Sequence, residues 1–374
     1  MSTFRIGIDC RLSGNTHAGI GRYIENLITR LPLDKGIEWV LFFSNQKQVP
    51  SQAAFEKAIQ EHKISVNFVA VRHYTLAEQL KLPKIFADQK LDLLHVPHFN
   101  VPLGLKENQK LIVTIHDLLW HEQKGLHVTT LSPWKYWLKY LGYKAVTSSA
   151  ISRAKTILVP SIAVKNILKK YYSHADAKVV VTYEGADQYQ SKKIHKSEKN
   201  SNTLLYVGSL YPHKNIVVVL KALQHNKNIR LEIAGSRNVF QENVRHQAQM
   251  LGVANQVSFL GYVADDQLLE KYQTSLALIQ PSLSEGFGLT GLEAMSAGGN
   301  VLASSIPVFK EIYQDGAYYF DPRDPSDLSE AITRLQQQSS KEAQQMSQKS
   351  LEISKQYSWQ TMVDQTVSEY LKLL

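Results

Sequence analysis

The densest group of residues that could bind a ligand lies within residues 282–295, where two carboxylates flank a glycine-rich turn. Gly286 and Gly288 let the backbone approach a ligand closely or adopt a positive φ, which a side chain would hinder. The turn is predicted to open a helix, and the first N–H groups of a helix bind anions such as phosphate. Glu285 and Glu293 can accept hydrogen bonds from hydroxyl groups, as an acidic residue does with ribose. This stretch therefore predicts a site for a ligand that carries phosphate and hydroxyl groups.

The same spacing has a purely structural explanation, which the residues alone leave open. Thr290 and Glu293 are three residues apart, as in a helix capping box, where the glutamate accepts a hydrogen bond from the first residue's N–H. A single Gly-x-Gly turn is also common. Spacing alone therefore does not choose between a ligand-binding turn and a capped helix.

A longer pattern in this region resembles a known family. Glu285-Gly-Phe-Gly-Leu-Thr-Gly-Leu-Glu293 is similar to the E-x7-E motif of the retaining glycosyltransferases of family 4. Gly261-Tyr-Val before it and Val301-Leu-Ala-Ser-Ser305 after it match the surroundings of that motif. The resemblance extends over most of the chain, so the family provides expectations for several other segments.

The resemblance implies a role for each part of the motif. Glu285 is implied to hold the donor sugar, and Glu293 to bind the ribose. The backbone between them is implied to contact the donor, at the sugar through Gly286, Phe287 and Gly288 and at the diphosphate through Gly288 and Leu289. The choice of base is implied to depend on backbone contacts around Tyr262 and Val263.

The segment Tyr206-Val-Gly-Ser-Leu-Tyr-Pro-His-Lys-Asn215 resembles the family's first C-terminal strand and phosphate-binding loop. By this resemblance Lys214 clamps the diphosphate and stabilises the charge that develops there; a solvated loop lysine is the structural alternative. Relatives carry an arginine five residues before this lysine or just before it, whereas this chain has Ser209 and His213. Three outcomes stay open: a hydrogen bond from His213, a contact from Arg237, or weaker donor binding.

Candidates in the first half lie where a predicted strand ends. Thr114-Ile-His-Asp-Leu118 closes such a strand, and open α/β sheets bind ligands at the carboxyl ends of their strands. The resemblance places His116 beside the donor sugar and acceptor as a catalytic-site residue, with Asp117 second. A buried structural histidine is the alternative. His98 and Asn100 are further candidates on the acceptor side.

Residues 14–21, GNTHAGIG, are expected to form a glycine-rich loop before a helix over Tyr23–Leu31. The loop lacks the third glycine of a dinucleotide fingerprint and the lysine of a P-loop. It resembles the family's N-terminal glycine loop, which implies donor-phosphate contacts from Gly19 and Gly21, with Arg22 as a weaker candidate.

No metal site is expected from the histidines of the first half. His95, His98, His116 and His121 do not follow a compact ligand spacing such as H-E-x-x-H. The family resemblance implies a reaction without bound metal and without a cofactor, because the nucleotide sugar itself is the donor substrate.

The elements that would position these residues alternate between short β-rich runs and longer helical patterns, which is typical of parallel α/β proteins. The first series of predicted strands is Phe4–Asp9, Trp39–Ser44, Ser65–Val71, Leu93–Val96, Lys110–Ile115 and Thr156–Pro160. The second series is Thr203–Val207, Ile229–Ala234, Val257–Leu260, Leu276–Gln280 and Asn300–Ala303. We therefore expect an α/β fold with two Rossmann-like domains facing across a cleft, the glycosyltransferase-B fold.

The polar, lysine-rich stretch 185–202 is the predicted linker between the two domains. Residues 1–184 are expected to form an acceptor-binding domain, and residues 203–355 a nucleotide-sugar-binding domain. The resemblance implies that a C-terminal helix over 356–374 packs back on the first domain. The length of 374 residues agrees with two domains, since single cores stop growing near roughly 250–300 residues.

Bulk properties limit the cellular context and the partners. A single cysteine, Cys10, excludes an internal disulfide and fits a reducing cytosol. The N-terminus shows no signal-peptide pattern, and apolar runs are shorter than the about 20 residues of a membrane helix. We expect a cytoplasmic protein, and peripheral contact at the inner face of the membrane stays open. The net charge of +9 attracts phosphates of any kind, but no nucleic-acid-binding motif accompanies it.

One apolar stripe has two interpretations. It recurs at helical spacing among lysines and consists of Trp134, Trp137, Leu138, Leu141 and Ala145. A basic, aromatic amphipathic helix can lie in the interface of an anionic membrane. Such stripes more often pack in a core, and this is the interpretation that we expect here.

Taken together, the sequence predicts a retaining, metal-independent glycosyltransferase. It would move a hexose of the mannose or glucose type from a nucleotide-diphosphate sugar to a glycan or lipid-linked glycan in cell-surface polysaccharide synthesis, such as that of lipopolysaccharide. The segments around His95–Asn100 and His116–Leu118 resemble users of GDP-mannose. Two alternatives stay open: an inactive nucleotide-sugar-binding or scaffold protein, and a sugar-nucleotide epimerase of the same fold.

Overall fold

The computed structural model describes residues 4–14, 18–33, 36–123, 125, 129, 132–186, 200–235 and 239–374. The chain divides into two compact units. The first contains Met1–Glu122, Leu131–Glu184 and Trp359–Leu374, and the second contains Gln123–Thr130 and Gly185–Ser358. Most of the predicted linker lies outside the described residues.

The first unit is built on a seven-stranded parallel sheet of order β3-β2-β1-β4-β5-β6-β7. Its strands are β1 (Phe4–Asp9), β2 (Ile37–Phe43), β3 (Ile64–Phe68), β4 (Leu93–Val96), β5 (Lys110–Thr114), β6 (Thr156–Val159) and β7 (Val179–Val181). The helices among them are α1 (Ala18–Thr29), α2 (Ala53–Gln60), α3 (Leu76–Asp88), α4 (Leu119–Glu122), α5 (Pro133–Arg153) and α6 (Ile162–Tyr171).

The second unit is built on a six-stranded parallel sheet of order β10-β9-β8-β11-β12-β13. Its strands are β8 (Asn200–Val207), β9 (Arg230–Ala234), β10 (Val257–Gly261), β11 (Ser275–Gln280), β12 (Val301–Ser304) and β13 (Tyr318–Phe320). Its helices are α7 (Ile216–Leu223), α8 (Gln241–Met250), α9 (Asp265–Thr274), α10 (Leu289–Ser296), α11 (Pro307–Tyr313), α12 (Pro325–Gln336) and α13 (Ser340–Ser354).

The last helix, α14 (Trp359–Leu373), belongs to the first unit although the chain reaches it after the second. Its Tyr370 ring is 6.0 Å from that of Trp39, and the Tyr370 hydroxyl is 2.6 Å from Nδ1 of His95. Both partners lie on central strands, so α14 completes the core of the first unit.

Both sheets reverse their strand order at one place, between β1 and β4 in the first unit and between β8 and β11 in the second. Strands such as β4, β6, β11 and β12 are buried at every residue, as expected where helices cover both faces of a parallel sheet. In open α/β sheets, ligands bind outside the carboxyl ends of the strands at this point of reversal. Each unit therefore has one place where site residues are expected.

The predicted strands are confirmed, with ends that differ by a few residues. The sequence missed β7 and β13, which are three-residue strands at the sheet edges. The predicted extent of the N-terminal loop is wrong, because α1 already begins at Ala18 and includes Gly19 and Gly21.

The core interpretation of the Trp134 stripe is also wrong. Trp134, Trp137, Leu138 and Leu141 are exposed on α5, and the tyrosines between them form the buried face. Within the described residues, no helix combines the length and the apolar character needed to cross a bilayer.

Candidate active site

A lysine and a carboxylate meet at the switch point of the second sheet. Lys214 ends a short 3-10 turn, Pro212–Lys214, in the connection after β8, and Glu285 follows β11. The Lys214 Nζ lies 2.5 Å from Oε1 of Glu285, and both side chains are partly buried. The backbone joins the two loops as well, since Leu283 N–H donates to the His213 carbonyl at 2.8 Å. Residues 71 positions apart are thus held together where a ligand is expected.

Glu285 is held as a carboxylate by its surroundings. Burial opposes its charge, but the positive charge of Lys214 and hydrogen bonds from Lys214 and Ser282 lower its pKa below the usual value. The Ser282 hydroxyl donates to Oε1 at 2.7 Å. A carboxylate fixed in this way can accept hydrogen bonds from ligand hydroxyl groups.

The glycine turn after Glu285 leads directly into α10. Gly288 is the N-cap of this helix with φ +98°, and it supplies no side-chain cap. The N–H groups of Leu289 and Thr290 have no hydrogen-bond partner among the described residues. The start of α10 can therefore bind an anion. The Phe287 side chain is buried 5.7 Å from the Tyr357 ring, so Phe287 can offer a ligand its backbone rather than its ring.

Glu293 lies inside α10, and the capping-box explanation of its spacing does not hold, because Gly288 rather than Thr290 is the N-cap. Its side chain is buried and accepts a hydrogen bond from the Tyr272 hydroxyl at 3.1 Å. Glu285 and Glu293 thus differ in environment: the first is paired with a cation and the second with a phenol.

The remaining described candidates of the second unit lie after the carboxyl ends of β8 and β10. Tyr262 and Val263 follow β10, with the Tyr262 ring exposed. Ser209 follows β8, and its carbonyl accepts from the Tyr206 hydroxyl at 2.5 Å. Burial and the charge of Lys214 lower the pKa of His213 to about 4, so His213 is neutral near pH 7. Arg237 lies outside the described residues.

In the first unit, His116 follows β5 and is held from both sides. Its Nδ1 is 3.2 Å from Oε1 of Glu184, and its Nε2 is 3.2 Å from the Pro97 carbonyl oxygen. The Tyr23 ring packs edge-on at 4.8 Å. Asp117, the next residue, accepts a hydrogen bond at Oδ1 from the Leu119 N–H at the start of α4.

His98 and Asn100 lie over a buried ionic network. Asn100 Nδ2 donates to Glu78 Oε2 at 2.5 Å, and its N–H donates to His98 Nδ1 at 3.2 Å. Glu78 in turn pairs with the fully buried Arg11 at 2.9 Å, and Arg11 pairs with Asp9 at 2.7 Å. The network fixes His98 and Asn100 in place. The positive charge of Arg11 is compensated within the network, because two carboxylates face its guanidinium group.

The two glycines predicted to contact the donor phosphate, Gly19 and Gly21, differ in exposure. Gly19 is exposed at the start of α1. Gly21 is buried, and a Cβ there would lie 2.1 Å from the Gly14 carbonyl oxygen, which gives this glycine a packing reason. Arg22 is partly exposed on the same helix, and its carbonyl accepts from the Asn26 amide.

The two other histidines considered as metal ligands, His95 and His121, form hydrogen bonds within the protein. His95 contacts the Tyr370 and Thr114 hydroxyl groups, and His121 contacts those of Tyr143 and Tyr172. Among the described residues, no three His, Cys, Asp or Glu side chains are grouped as metal ligands would be.

Sequence reasoning missed the residues that hold these candidates. They are Glu184, Glu78, Arg11, Asp9, Tyr272, Gln280 and Tyr313. The sequence contains one indication of these residues. Asp9 ends a buried strand and Arg11 follows it closely, and charged residues at such a place need partners. The others are distant in sequence, and pattern alone gives no sign of them.

The first six strands of the two parallel α/β units follow the same order, and a cation, a carboxylate and an uncapped helix start meet at one switch point. This is the architecture of the glycosyltransferase-B fold. The chain belongs to the glycosyltransferases. The model of Glycosyltransferase Family 4 matches residues 17–189, and that of Glycosyl transferases group 1 matches residues 187–352.

Individual proteins similar to this chain agree with that family. It is 30% identical to the O-antigen chain mannosyltransferase RfbU of Salmonella typhimurium over 62% of this chain and 66% of that protein. It is 26% identical to the O-antigen chain mannosyltransferase B of Escherichia coli over 95% of this chain and 96% of that protein. The structure of Anabaena HepE in complex with UDP and glucose superposes with a TM-score of 0.71, 18% identity and full coverage of both chains.

Proposed function

We propose that this protein is a retaining glycosyltransferase that moves a hexose, of the mannose or glucose type, from a nucleotide-diphosphate sugar to a glycan or lipid-linked glycan. The observation that carries the proposal is the Lys214–Glu285 pair beside the uncapped start of α10. This arrangement offers positive charge for a diphosphate and a fixed carboxylate for sugar hydroxyl groups. Cell-surface polysaccharide synthesis is the proposed setting, and the names of the two mannosyltransferase relatives support it.

The donor is proposed to bind the second unit. When a diphosphate enters, Lys214 turns from Glu285 to the phosphate oxygens, and the free N–H groups of Leu289 and Thr290 bind them too. Both stabilise the negative charge that grows as the glycosidic bond breaks. The carboxylate of Glu285, released from Lys214, accepts hydrogen bonds from the sugar, while Glu293 binds the ribose. Because protein groups supply this charge, the proposed reaction is metal-independent and uses no cofactor.

The acceptor is proposed to bind the first unit near His116, His98 and Asn100. Retaining glycosidases use a carboxylate nucleophile close to a general acid. Here Glu285 is already engaged by Lys214 and Ser282, which supports a role in positioning hydroxyl groups rather than in attack. Transfer is therefore proposed to occur on one face of the sugar without a carboxylate nucleophile.

The first test is thermal unfolding of the purified protein with GDP, UDP or ADP and without added metal. A ligand at about a hundred times its dissociation constant adds about 2.7 kcal/mol to the free energy of unfolding, which raises the midpoint by several degrees. We expect a shift with one base, and GDP is expected from the mannosyltransferase resemblance. No shift with any of the three nucleotides would contradict the donor site.

The second test separates transfer from the two rival functions. The donor selected above is incubated with and without a polysaccharide acceptor, and released nucleoside diphosphate and linked sugar are measured. A transferase releases the nucleotide with the acceptor present and keeps the anomeric configuration. An epimerase would convert the donor without an acceptor, and an inactive binding protein would release no nucleotide.

The site itself is tested by Glu285→Gln, which keeps the shape and removes the charge. Turnover is expected to fall at least about a hundredfold, because a positioned group at the reacting sugar is lost. Glu232→Gln is the matched control, since Glu232 pairs with Lys271 at 2.7 Å elsewhere in the same unit. Activity near that of the unmodified protein in Glu285→Gln would refute the assignment.

A further inference from the structure

Helix α5 has two opposite apolar faces, and one of them is exposed. Its buried face consists of Tyr136, Tyr140, Tyr143, Thr147, Ala150 and Ile151. On the other side, the exposed fractions are 66% for Trp134, 49% for Trp137, 64% for Leu138 and 62% for Leu141. At about 100° per residue these four side chains project within about 100° of one another. Large apolar groups gathered on one outer face indicate an interaction surface.

The charges of α5 are of one sign. The helix contains no Asp or Glu, and its exposed lysines are Lys135, Lys139 and Lys144. With the same rotation per residue, Lys135 and Lys139 project on one side of the apolar face and Lys144 on the other. The Lys135 Nζ lies 5.3 Å from the Trp134 ring. Lysines that flank an apolar face can extend their charges to lipid headgroups while the stems stay apolar.

The buried face keeps this surface in a fixed orientation. The Tyr136 ring stacks on that of Trp120 at 5.9 Å, and the Tyr143 ring stacks on the same indole at 5.5 Å. Tyr143 also donates to or accepts from His121 at 2.9 Å. The outward tryptophans are therefore presented by an anchored helix rather than by a loose segment.

A second exposed apolar group lies on the same side of the sheet. The core residues of α3, α5 and α6 form one cluster, so these helices cover the same sheet face. The exposed side chains Leu76 and Leu80 belong to α3, and the exposed Tyr74 precedes it. Phe99 links the two regions, with its ring 6.2 Å from Tyr74 and 4.9 Å from Tyr143. The apolar side of the unit thus adjoins the segment that carries His98 and Asn100.

We propose that the exposed face of α5 is a membrane-docking face that lies in the interface of an anionic bilayer. Tryptophan and leucine side chains would enter the headgroup boundary, and the flanking lysines would pair with anionic headgroups. The docked unit would keep the His98–Asn100 segment near the bilayer. This step deepens the proposed function, since it makes a lipid-linked glycan the acceptor, but the docking itself requires no turnover.

The test is flotation of the full chain with vesicles of phosphatidylcholine alone and with vesicles that also contain phosphatidylglycerol. We expect retention on the anionic vesicles, weakened by salt because part of the attraction is electrostatic. Trp134→Ser with Trp137→Ser is expected to reduce retention at least about tenfold, because two interfacial aromatic anchors are lost. Lys135→Gln with Lys139→Gln is expected to remove the preference for anionic lipid.

Val239→Ser with Met250→Ser is the matched control, since both residues are exposed apolar side chains of the second unit. Its retention should equal that of the unmodified protein. The thermal midpoint of the double tryptophan variant should fall only slightly, because Trp134 is mostly exposed and Trp137 keeps only edge contacts with Tyr136 and Tyr140. No retention on either vesicle, or equal retention after the tryptophan changes, overturns the proposal. Loss of self-association in the tryptophan variants without any vesicle binding would make the face a contact between copies of the chain. Nucleotide binding is measured separately, so failure of docking and failure of the donor site are distinguishable.

Discussion

Both ring nitrogens of His116 face oxygen acceptors. The Glu184 carboxylate lies at Nδ1 and the Pro97 carbonyl at Nε2, and neither can donate. Either acceptor can take a hydrogen bond from the imidazole ring, and the Glu184 carboxylate orients His116 from the Nδ1 side. This makes Glu184 a positioning residue, while His116 is the residue proposed to meet the substrate.

Glu184→Gln is expected to lower kcat by about tenfold with little change in the KM for the donor, because the orienting charge is lost while donor contacts stay in place. Glu184→Ala should lower kcat further, and Glu184→Asp should restore part of it. Steady-state kinetics and thermal midpoints of the three variants provide the check. Glu38→Gln, which removes a carboxylate paired with Arg5 on another strand, is the control. An unchanged kcat in Glu184→Gln would show that Glu184 has no positioning role.

At the scale of elements, the start of α10 depends on one glycine. Gly288 has φ +98°, and a Cβ there would lie 2.2 Å from the Tyr313 hydroxyl and 2.8 Å from Phe309 Cε1. The Tyr313 hydroxyl also donates to the Gly288 carbonyl at 2.6 Å and contacts Gln280. Gln280 Nε2 donates to the Thr290 hydroxyl at 2.6 Å, so β11, α10 and α11 are joined at this turn.

Gly288→Ala is therefore expected to lower the free energy of unfolding by about 1–3 kcal/mol through backbone strain and overpacking. It should also reduce stabilisation by nucleotide, because the uncapped N–H groups are displaced. Chemical unfolding with and without the nucleotide measures both effects. Gly142→Ala is the opposite control: it lies within α5 with open space around the added Cβ, and is expected to stabilise by about 0.5–1 kcal/mol. Equal stability of Gly288→Ala and the unmodified protein would show that the turn accepts a side chain.

The elements that sequence predicts well here are those whose pattern is local. Apolar residues alternate along the central strand β1, and they form a run in the middle of β11, so the positions of both strands follow from the local pattern. The short edge strands β7 and β13 give too few residues for a pattern. The outer face of α5 was assigned to the core because the sequence cannot show that the tyrosines at 136, 140 and 143 already fill the inner face.

The candidate site also has parts that a local sequence pattern predicts and parts that it does not. The glycine turn and Glu285 are contiguous in sequence, and their spacing predicted a ligand site at a helix start. The contacts of Glu184 with His116 and of Glu78 with Asn100 join residues 68 and 22 positions apart, and they depend on the strand order of the folded sheet. Their chemistry is therefore visible in the structure and absent from any local pattern.

At the scale of the whole molecule, buried histidines make stability depend on pH. Burial, together with the charge of His116, lowers the pKa of His95 and of His98 to about 3. In the second unit, burial and Lys214 lower that of His213 to about 4. An unfolded chain binds protons on these rings below its pKa of about 6.5, whereas the folded chain does not. Stability from this source is thus fully present above about pH 6.5 and is lost as the pH falls toward the folded pKa values.

The buried carboxylates Asp9 and Glu78 affect stability in a lower pH range than the histidines do. The pKa of Asp9 and of Glu78 is lowered despite burial, because Arg11 and His73 favour their charged forms. Their stabilisation is present above an unfolded pKa of about 4 and is lost only as the pH falls below it. Between pH 5 and 6.5 the histidines are therefore the groups whose titration dominates the change.

We expect the free energy of unfolding to fall by about 2 kcal/mol for each of the fully buried His95 and His98 between pH 7.5 and pH 5, since 1.5 pH units below the unfolded pKa correspond to about 2 kcal/mol. His95→Gln should be less stable at pH 7.5, because the contacts with Tyr370 and Thr114 are altered, but its stability should fall less on acidification. His225→Gln, which changes an exposed histidine, should keep the slope of the unmodified protein. Chemical unfolding at a series of pH values gives these slopes. A slope in His95→Gln equal to that of the His225→Gln control would show that His95 does not stay neutral in the folded protein.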